Sequence, residues 1–304
     1  MTRVAAVDCG TNSIRLLVAD IATGMVELDR RMQIVRLGEG VDATGMISAA
    51  ALDRTFAACR DYAAVIDRLG AERIRFVATS ASRDAGNTGD FTTGVQQILG
   101  VAPEVVSGDE EAALSFAGAM RGSGLPGPAV VFDIGGGSTE FIYGTAQPES
   151  AISVDMGCVR FAERFARLDP MGADSAAAIR AATDSLLDEV EQVVPLQGAS
   201  SVVGLAGTVT TVAALALGLD EYDSDRIHLA AVSREDIARI TRELVAMTAE
   251  QRGRLGVMHP GRADVIAAGS LVLDTIMERT GAAQVTASEH DILDGIAWSL
   301  AAPV

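Results

Sequence analysis

The chain has 304 residues, 49% of them apolar and 21% charged, a globular composition with room for two domains. Its 24 basic residues stand against 41 acidic ones, and the net charge of −17 argues against non-specific nucleic-acid binding and adhesion to anionic membranes. All the basic residues are arginine, which excludes a Walker A loop, a pyridoxal Schiff base and a serine–lysine dyad. Cys9, Cys59 and Cys158 are far apart and odd in number, so no disulfide framework, zinc cluster or iron–sulfur set follows, and a reducing cytoplasm is expected. The first strand-like run already ends at Asp8, leaving no room for a signal peptide before it. No apolar run reaches the roughly 18 residues of a membrane span.

In chain order, residues 4–7 are a short apolar run closed by Asp8-Cys9-Gly10-Thr11-Asn12-Ser13, and residues 14–19 read as the returning strand of a hairpin. A third strand is predicted over 25–35. A long helix follows over 48–69, with Leu52, Phe56, Tyr62, Val65, Ile66 and Leu69 as its apolar positions. A strand over 74–78 leads into the polar segment 79–84. Helices are predicted over 88–99 and 109–120, with a short strand at 103–106 between them. The second helix opens on acids, as the helix dipole favours. Residues 122–128, Gly-Ser-Gly-Leu-Pro-Gly-Pro, form the clearest linker. Their match to G-x-G-x-x-G precedes a strand and opens no helix, which is the wrong context for a dinucleotide loop.

Past the linker the opening pattern recurs. Residues 129–132 are an apolar strand ending in Asp133, followed by Ile134-Gly135-Gly136-Gly137-Ser138-Thr139 and a second strand over 140–143. A strand–Asp–glycine turn–strand unit used twice suggests two domains of related construction. A strand at 151–155 and helices at 159–167 and 175–194 follow. The strand at 201–206 ends in Gly207-Thr208-Val209-Thr210-Thr211, which opens another helix. Helices at 234–247 and 262–280, a strand at 284–286 and a last helix at 291–300 complete the prediction.

A glycine- or hydroxyl-rich turn after a strand aims several backbone N–H groups in one direction, which suits phosphate oxygens. Asn12, Ser13, Ser138 and Thr139 add side-chain donors. Asp8 and Asp133 cannot themselves favour a phosphate. They make sense if they orient Mg²⁺ or its waters, since Mg²⁺ is held by one or two carboxylates together with phosphate oxygens. One such turn is ordinarily just a hairpin; two in one chain, each led by aspartate, point to function.

Asp8-x-Gly-Thr-Asn-Ser and Asp133-Ile-Gly-Gly-Gly-Ser-Thr-Glu140 resemble the paired phosphate loops of the actin, Hsp70 and sugar-kinase superfamily. Gly204-Leu-Ala-Gly207-Thr208 sits where that superfamily carries a third loop. Within it, Ala78-Thr-Ser-Ala-Ser-Arg83-Asp-Ala, Val106-Ser-Gly-Asp-Glu110-Glu111-Ala and Met156-Gly-Cys-Val159-Arg160 complete a close resemblance to the Ppx/GppA family of exopolyphosphatases and guanosine pentaphosphate phosphohydrolases. The likeness runs along essentially the whole chain and matches the short members, without the extra C-terminal helical domains of the long ones.

The resemblance implies an α/β fold of two ribonuclease H-like (actin-like ATPase) domains, residues 1–120 and 121–304, each a mixed sheet flanked by helices. Substrate would lie in the cleft between them, and the last helix is a candidate to pack back on the first domain. It also implies a homodimer, a Mg²⁺ cofactor (or Mn²⁺), and inorganic polyphosphate or guanosine pentaphosphate (pppGpp) as substrate, with no nucleic-acid or membrane partner.

Hydrolysis of a phosphoanhydride needs charge stabilisation and a group to orient or deprotonate water. Glu111 is the candidate general base and Arg83 the candidate electrophile, since a guanidinium grips phosphate oxygens bidentately and stays charged. The competing readings are a helix-start acid for Glu111, which is accepted for Glu110, and a surface pair with Asp84 for Arg83. Gly10, Thr11, Asn12, Ser13 and Arg15, then Gly135, Gly136, Gly137, Ser138 and Thr139, and finally Gly207 and Thr208 are the candidate phosphate-binding residues. Arg15 also fits the solvent face of its sheet. Asp133 and Glu140 are the candidate metal-linked carboxylates, with Asp8 sharing that role or bracing the first loop. Arg262 reads as a helix-start arginine, and the three histidines as structural. Three other activities remain open at this point: pppGpp hydrolysis, an actin-like small-molecule kinase, and a non-catalytic polyphosphate or alarmone sensor.

Overall fold

A computed structural model describes residues 1–301. The chain opens with β1 (Thr2–Cys9), β2 (Ser13–Ile21) and β3 (Met25–Ile34), an antiparallel meander. Then come α1 (Val41–Thr44), α2 (Ala49–Leu69), β4 (Arg73–Ala78), α3 (Ser80–Asp84), α4 (Thr88–Leu99), β5 (Glu104–Val105) and α5 (Gly108–Met120). After the linker follow β6 (Ala129–Ile134), β7 (Thr139–Gly144), β8 (Pro148–Val154), α6 (Cys158–Phe165), α7 (Ala173–Val190), β9 (Ser201–Leu205) and α8 (Ala206–Ala216). The remainder is α9 (Ser224–Ile227), β10 (Ala231–Ser233), α10 (Arg234–Ala246), α11 (Ala249–Gly253), α12 (Ile266–Thr280), β11 (Gln284–Ala287) and α13 (Ile292–Ser299).

The chain divides into two compact units. One comprises Met1–Gly118 together with the chain from Ile292 onward; the other is Ala119–Asp291. The first holds a mixed sheet in the order β3-β2-β1-β4-β5, the second a mixed sheet in the order β10-β11-β9-β6-β7-β8. The plan is the same in both. β1 pairs antiparallel with β2 and parallel with β4; β6 pairs antiparallel with β7 and parallel with β9. These are the ribonuclease H-like mixed sheets that the resemblance implies.

Alternation along the strands decides which face each residue serves. In the first unit Val7, Cys9, Ile14, Leu16 and Phe76 point to a core shared with α2 and α4. Val4, Ala6, Leu17, Ala19 and Val77 point the other way, to Leu114 of α5 and to Ile292, Leu293, Ile296 and Ala297 of α13. In the second unit Val130, Phe132, Ile134 and Phe141 join a large core with α6, α7, α8, α10 and α12. Helix α2 starts where the Ser48 side chain accepts the Ala51 N–H and ends at Gly70 in the left-handed region, a start and stop that the sequence encodes directly.

Several predicted boundaries change. The helix predicted over 262–280 is two pieces: a 3₁₀ turn at Pro260–Arg262, capped by His259, and then α12 from Ile266. The helix predicted to reach residue 194 stops at Val190, and the segment 79–84, read only as polar, contains α3. Among the described residues no helix is long and apolar enough to cross a membrane.

Candidate active site

The functional candidates fall into two sets, one in each unit. In the first unit the turn between β1 and β2 is closed by the Gly10 N–H donating to the Ser13 carbonyl at 3.0 Å. The Thr11 carbonyl accepts from the Gly38 N–H (2.9 Å), and the Asn12 carbonyl accepts from Val35 (3.1 Å) and Arg36 (2.9 Å). In a planar trans peptide the N–H lies opposite its C=O. The amides of Asn12 and Ser13 therefore point away from the 35–38 segment. The Thr11 hydroxyl meets the buried Ser80 hydroxyl at 2.8 Å, joining this turn to the start of α3. The Asn12 Oδ1 and Ser82 Oγ atoms are buried and take no hydrogen bond, a state that a bound polar group or water would relieve.

Asp8 and Arg15 are opposite partners in the β1–β2 register. Arg15 Nε and Nη2 both donate to Asp8 Oδ2, at 2.9 and 2.6 Å. Arg83 reaches across to the start of α5: its Nη1 donates to Glu111 Oε2 at 2.7 Å and to the Val106 carbonyl at 2.9 Å. Glu111 is buried in the first turn of α5. Its neighbour Glu110 is exposed and accepts from Arg75 Nη2 at 2.6 Å, the structural part expected of it. Leu114 anchors α5 on the same face of the sheet as Asp8 and Arg15.

The second unit repeats the turn. The Gly135 N–H donates to the Ser138 carbonyl at 3.0 Å. The carbonyls of the glycine run are all engaged by the start of α6. Gly135 accepts from the Cys158 N–H (3.0 Å), and Gly136 from those of Val159 (2.9 Å) and Arg160 (3.0 Å). Gly137 accepts from Arg160 Nε at 2.7 Å. By the same peptide geometry the N–H groups of Gly136, Gly137 and Ser138 face away from α6, three successive donors in one direction. Gly157 makes this possible, since a Cβ there would lie 2.2 Å from the Gly136 carbonyl oxygen. Thr139 is buried, and its hydroxyl donates to the Met156 carbonyl.

Asp133 and Glu140 are opposite partners on β6 and β7, both buried. Opposed residues of an antiparallel pair share a face, and two carboxylates so placed repel each other. Glu140 also accepts from Ser153 Oγ at 2.7 Å. A divalent cation would relieve the repulsion, and two carboxylates are what Mg²⁺ takes beside phosphate oxygens, so these residues fit such an ion. Among the described residues no three His, Cys, Asp or Glu side chains gather as a metal set.

The third turn follows β9. Ala206 has φ 65°, a left-handed conformation that costs a non-glycine residue roughly 1–2 kcal/mol. Gly207 lies against Arg262, whose Cζ would be 2.3 Å from a Cβ at that position. Arg262 is thus a neighbour of the third turn and no part of α12. Thr208 is buried beside Cys158, a thiol that burial pushes up to about 11. His228 and His290, far apart in sequence, stack with ring centroids 4.2 Å apart.

Sequence reasoning assigned no role to Ser80, Ser153, Gly157 or Arg160. Gly157 and Arg160 stood inside a quoted motif, Met-Gly-Cys-Val-Arg, whose purpose, closing the second glycine turn, becomes visible only with the backbone contacts.

The pattern of the Ppx/GppA phosphatase family matches residues 17–302. The chain is 46% identical over 316 aligned positions to Exopolyphosphatase 2 of Mycobacterium tuberculosis, with 99% of each chain covered. Solved structures are similar too, among them two. One is an exopolyphosphatase-like protein, at TM-score 0.94 and 39% identity over 98% of both chains. The other is the Aquifex aeolicus member of the Ppx/GppA family, at TM-score 0.82 and 28% identity, covering 98% of this chain and 97% of that one. With a family match along nearly its whole length, and relatives that align from end to end, the chain belongs to the Ppx/GppA phosphatase family.

Proposed function

We propose that the protein is an exopolyphosphatase, releasing terminal orthophosphate from inorganic polyphosphate by direct attack of water. The observation that carries the reading is the repeated glycine turn, one per unit, with amides presented for phosphate oxygens, in a chain so similar to Exopolyphosphatase 2. Glu111 accepts the proton of the attacking water. Arg83 positions the Glu111 carboxylate and offers its remaining donors to the transferred phosphoryl oxygens. The amides of Asn12 and Ser13, and those of Gly136, Gly137 and Ser138, orient the chain of phosphates and spread its charge. Within the second unit, Gly207 and Thr208 shape the surface near the glycine turn.

Asp133 and Glu140 would hold a Mg²⁺ or Mn²⁺ ion, which would supply charge neutralisation of phosphate oxygens. The reading includes a homodimer, tested by light scattering, and a cytoplasmic setting, in keeping with three buried free thiols. The same residues would serve pppGpp, whose terminal phosphoanhydride is chemically alike. Phosphate release measured side by side from short polyphosphate, long polyphosphate, pppGpp and ATP, with Mg²⁺ or Mn²⁺, tests the assignment. Polyphosphate turnover well above the other substrates is expected; release from ATP or pppGpp alone would overturn it.

A further inference from the structure

The two hairpins are built alike, and over residues 4–19 and 129–144 they differ in charge at one position. Their turns close with the same hydrogen bond, Gly10 to Ser13 and Gly135 to Ser138, both 3.0 Å. The residue opposite the aspartate is seven positions on in each case, Arg15 for Asp8 and Glu140 for Asp133. The second unit therefore opposes two carboxylates where the first opposes a carboxylate and a guanidinium. Two Arg15 nitrogens lie at 2.9 and 2.6 Å from one oxygen of Asp8, whose side chain is 6% exposed against 20% for Arg15.

We propose that Arg15 is the resident cation of the first unit. It neutralises Asp8 at the position where the second unit takes a divalent ion, so the first turn receives phosphate oxygens without a metal. The protein then binds one divalent ion, not two. The inference rests on the reading that Asp133 and Glu140 hold such an ion. Its physical basis is separate. Charge-assisted bonds from a group that cannot lose its proton hold the Asp8 carboxylate, and a divalent ion brought to Asp8 would face a like charge within a few ångströms. Arg15 is accordingly a positioning residue acting through Asp8.

Counting Mn²⁺ bound to the full chain without substrate, by electron paramagnetic resonance, tests this. One ion is expected in the wild type and one in Asp8→Asn. None is expected in Asp133→Asn or Glu140→Gln at the same concentration. Two are expected in Arg15→Glu, which copies the acidic pair of the second unit into the first. A wild type that binds no ion, or an ion indifferent to Asp133→Asn and Glu140→Gln, sinks the metal reading itself. Loss of an ion in Asp8→Asn, with Asp133 still required, overturns the role of Arg15 alone. So does a folded Arg15→Glu that still binds a single ion. Should Arg15→Glu fail to fold, the Asp8→Asn count decides.

Discussion

Arg83 and Glu111 meet at 2.7 Å, and the same Arg83 nitrogen also donates to the Val106 carbonyl. One guanidinium thus ties α3 to the start of α5 and fixes the carboxylate proposed as base. Glu111→Gln keeps the shape and removes the proton acceptor. It is expected to lower kcat by about 10²–10⁴ while polyphosphate still binds. Arg83→Lys, lacking the planar fork, is expected to restore little of what Arg83→Ala loses. Phosphate release and equilibrium binding on the same preparations check both; a Glu111→Gln enzyme with near-normal kcat would show that another group takes the proton.

Gly157→Ala is expected to damage catalysis without unfolding the chain. The new methyl would meet backbone atoms of Gly136 and Gly137 at 2.2–2.5 Å, and backbone cannot step aside as a flexible side chain can. The glycine turn must shift, and a displacement of about 1 Å costs on the order of a hundredfold in rate. Circular dichroism matching the wild type, with kcat/KM reduced to that extent, is the expected result.

His259 gives the second unit a pH-dependent part. Its Nδ1 accepts the Gly261 N–H at 3.1 Å, which requires a neutral ring, and burial together with Arg262 lowers its pKa below the usual 6.5. The folded form therefore resists protonation more than the unfolded one. Above pH 6.5 both are neutral and the cap contributes fully. As pH falls below 6.5 the unfolded chain takes the proton first, and stability declines until the folded ring is protonated too. Urea midpoints between pH 7.5 and 5 should fall more for the wild type than for His259→Asn, which can cap without titrating.

The thiols should be silent in the native state. Burial raises all three, Cys59 to about 12 and Cys158 to about 11, and the thiolate is the reactive form. At pH 8 a disulfide reagent such as DTNB is expected to find no thiol until denaturant is added, and three afterwards. Above the ordinary value of 9.0 the unfolded chain ionises first, so stability should fall as pH rises from 9 toward 11.

The repeated hairpins were legible because an apolar run, an acid and a polar turn are local signals, and β1–β2 and β6–β7 follow them closely. α3 was not, since its five residues are held by the Thr79 carbonyl, which accepts from Ser82 and Arg83, and not by any apolar periodicity. β10, of three residues, is too short to carry a period. At the site, residue types pointed to the right chemistry, but pairings across the chain stayed hidden. Nothing local says that Arg83 reaches Glu111, that Arg15 pairs with Asp8, or that Arg262 lies on Gly207.

Because α13 belongs to the first unit, that unit is discontinuous in the gene, with the whole of the second encoded inside it. On the ribosome, the sheet face of Val4, Ala6, Leu17 and Ala19 waits for Ile292–Ala297 before it gains its full cover. At the usual pace of translation, about 5–20 residues per second, that wait lasts roughly fifteen to fifty-five seconds. The inserted unit can mature first, and the half-built N-terminal sheet, with apolar residues open to water, is the stage at which a nascent chain would need a chaperone.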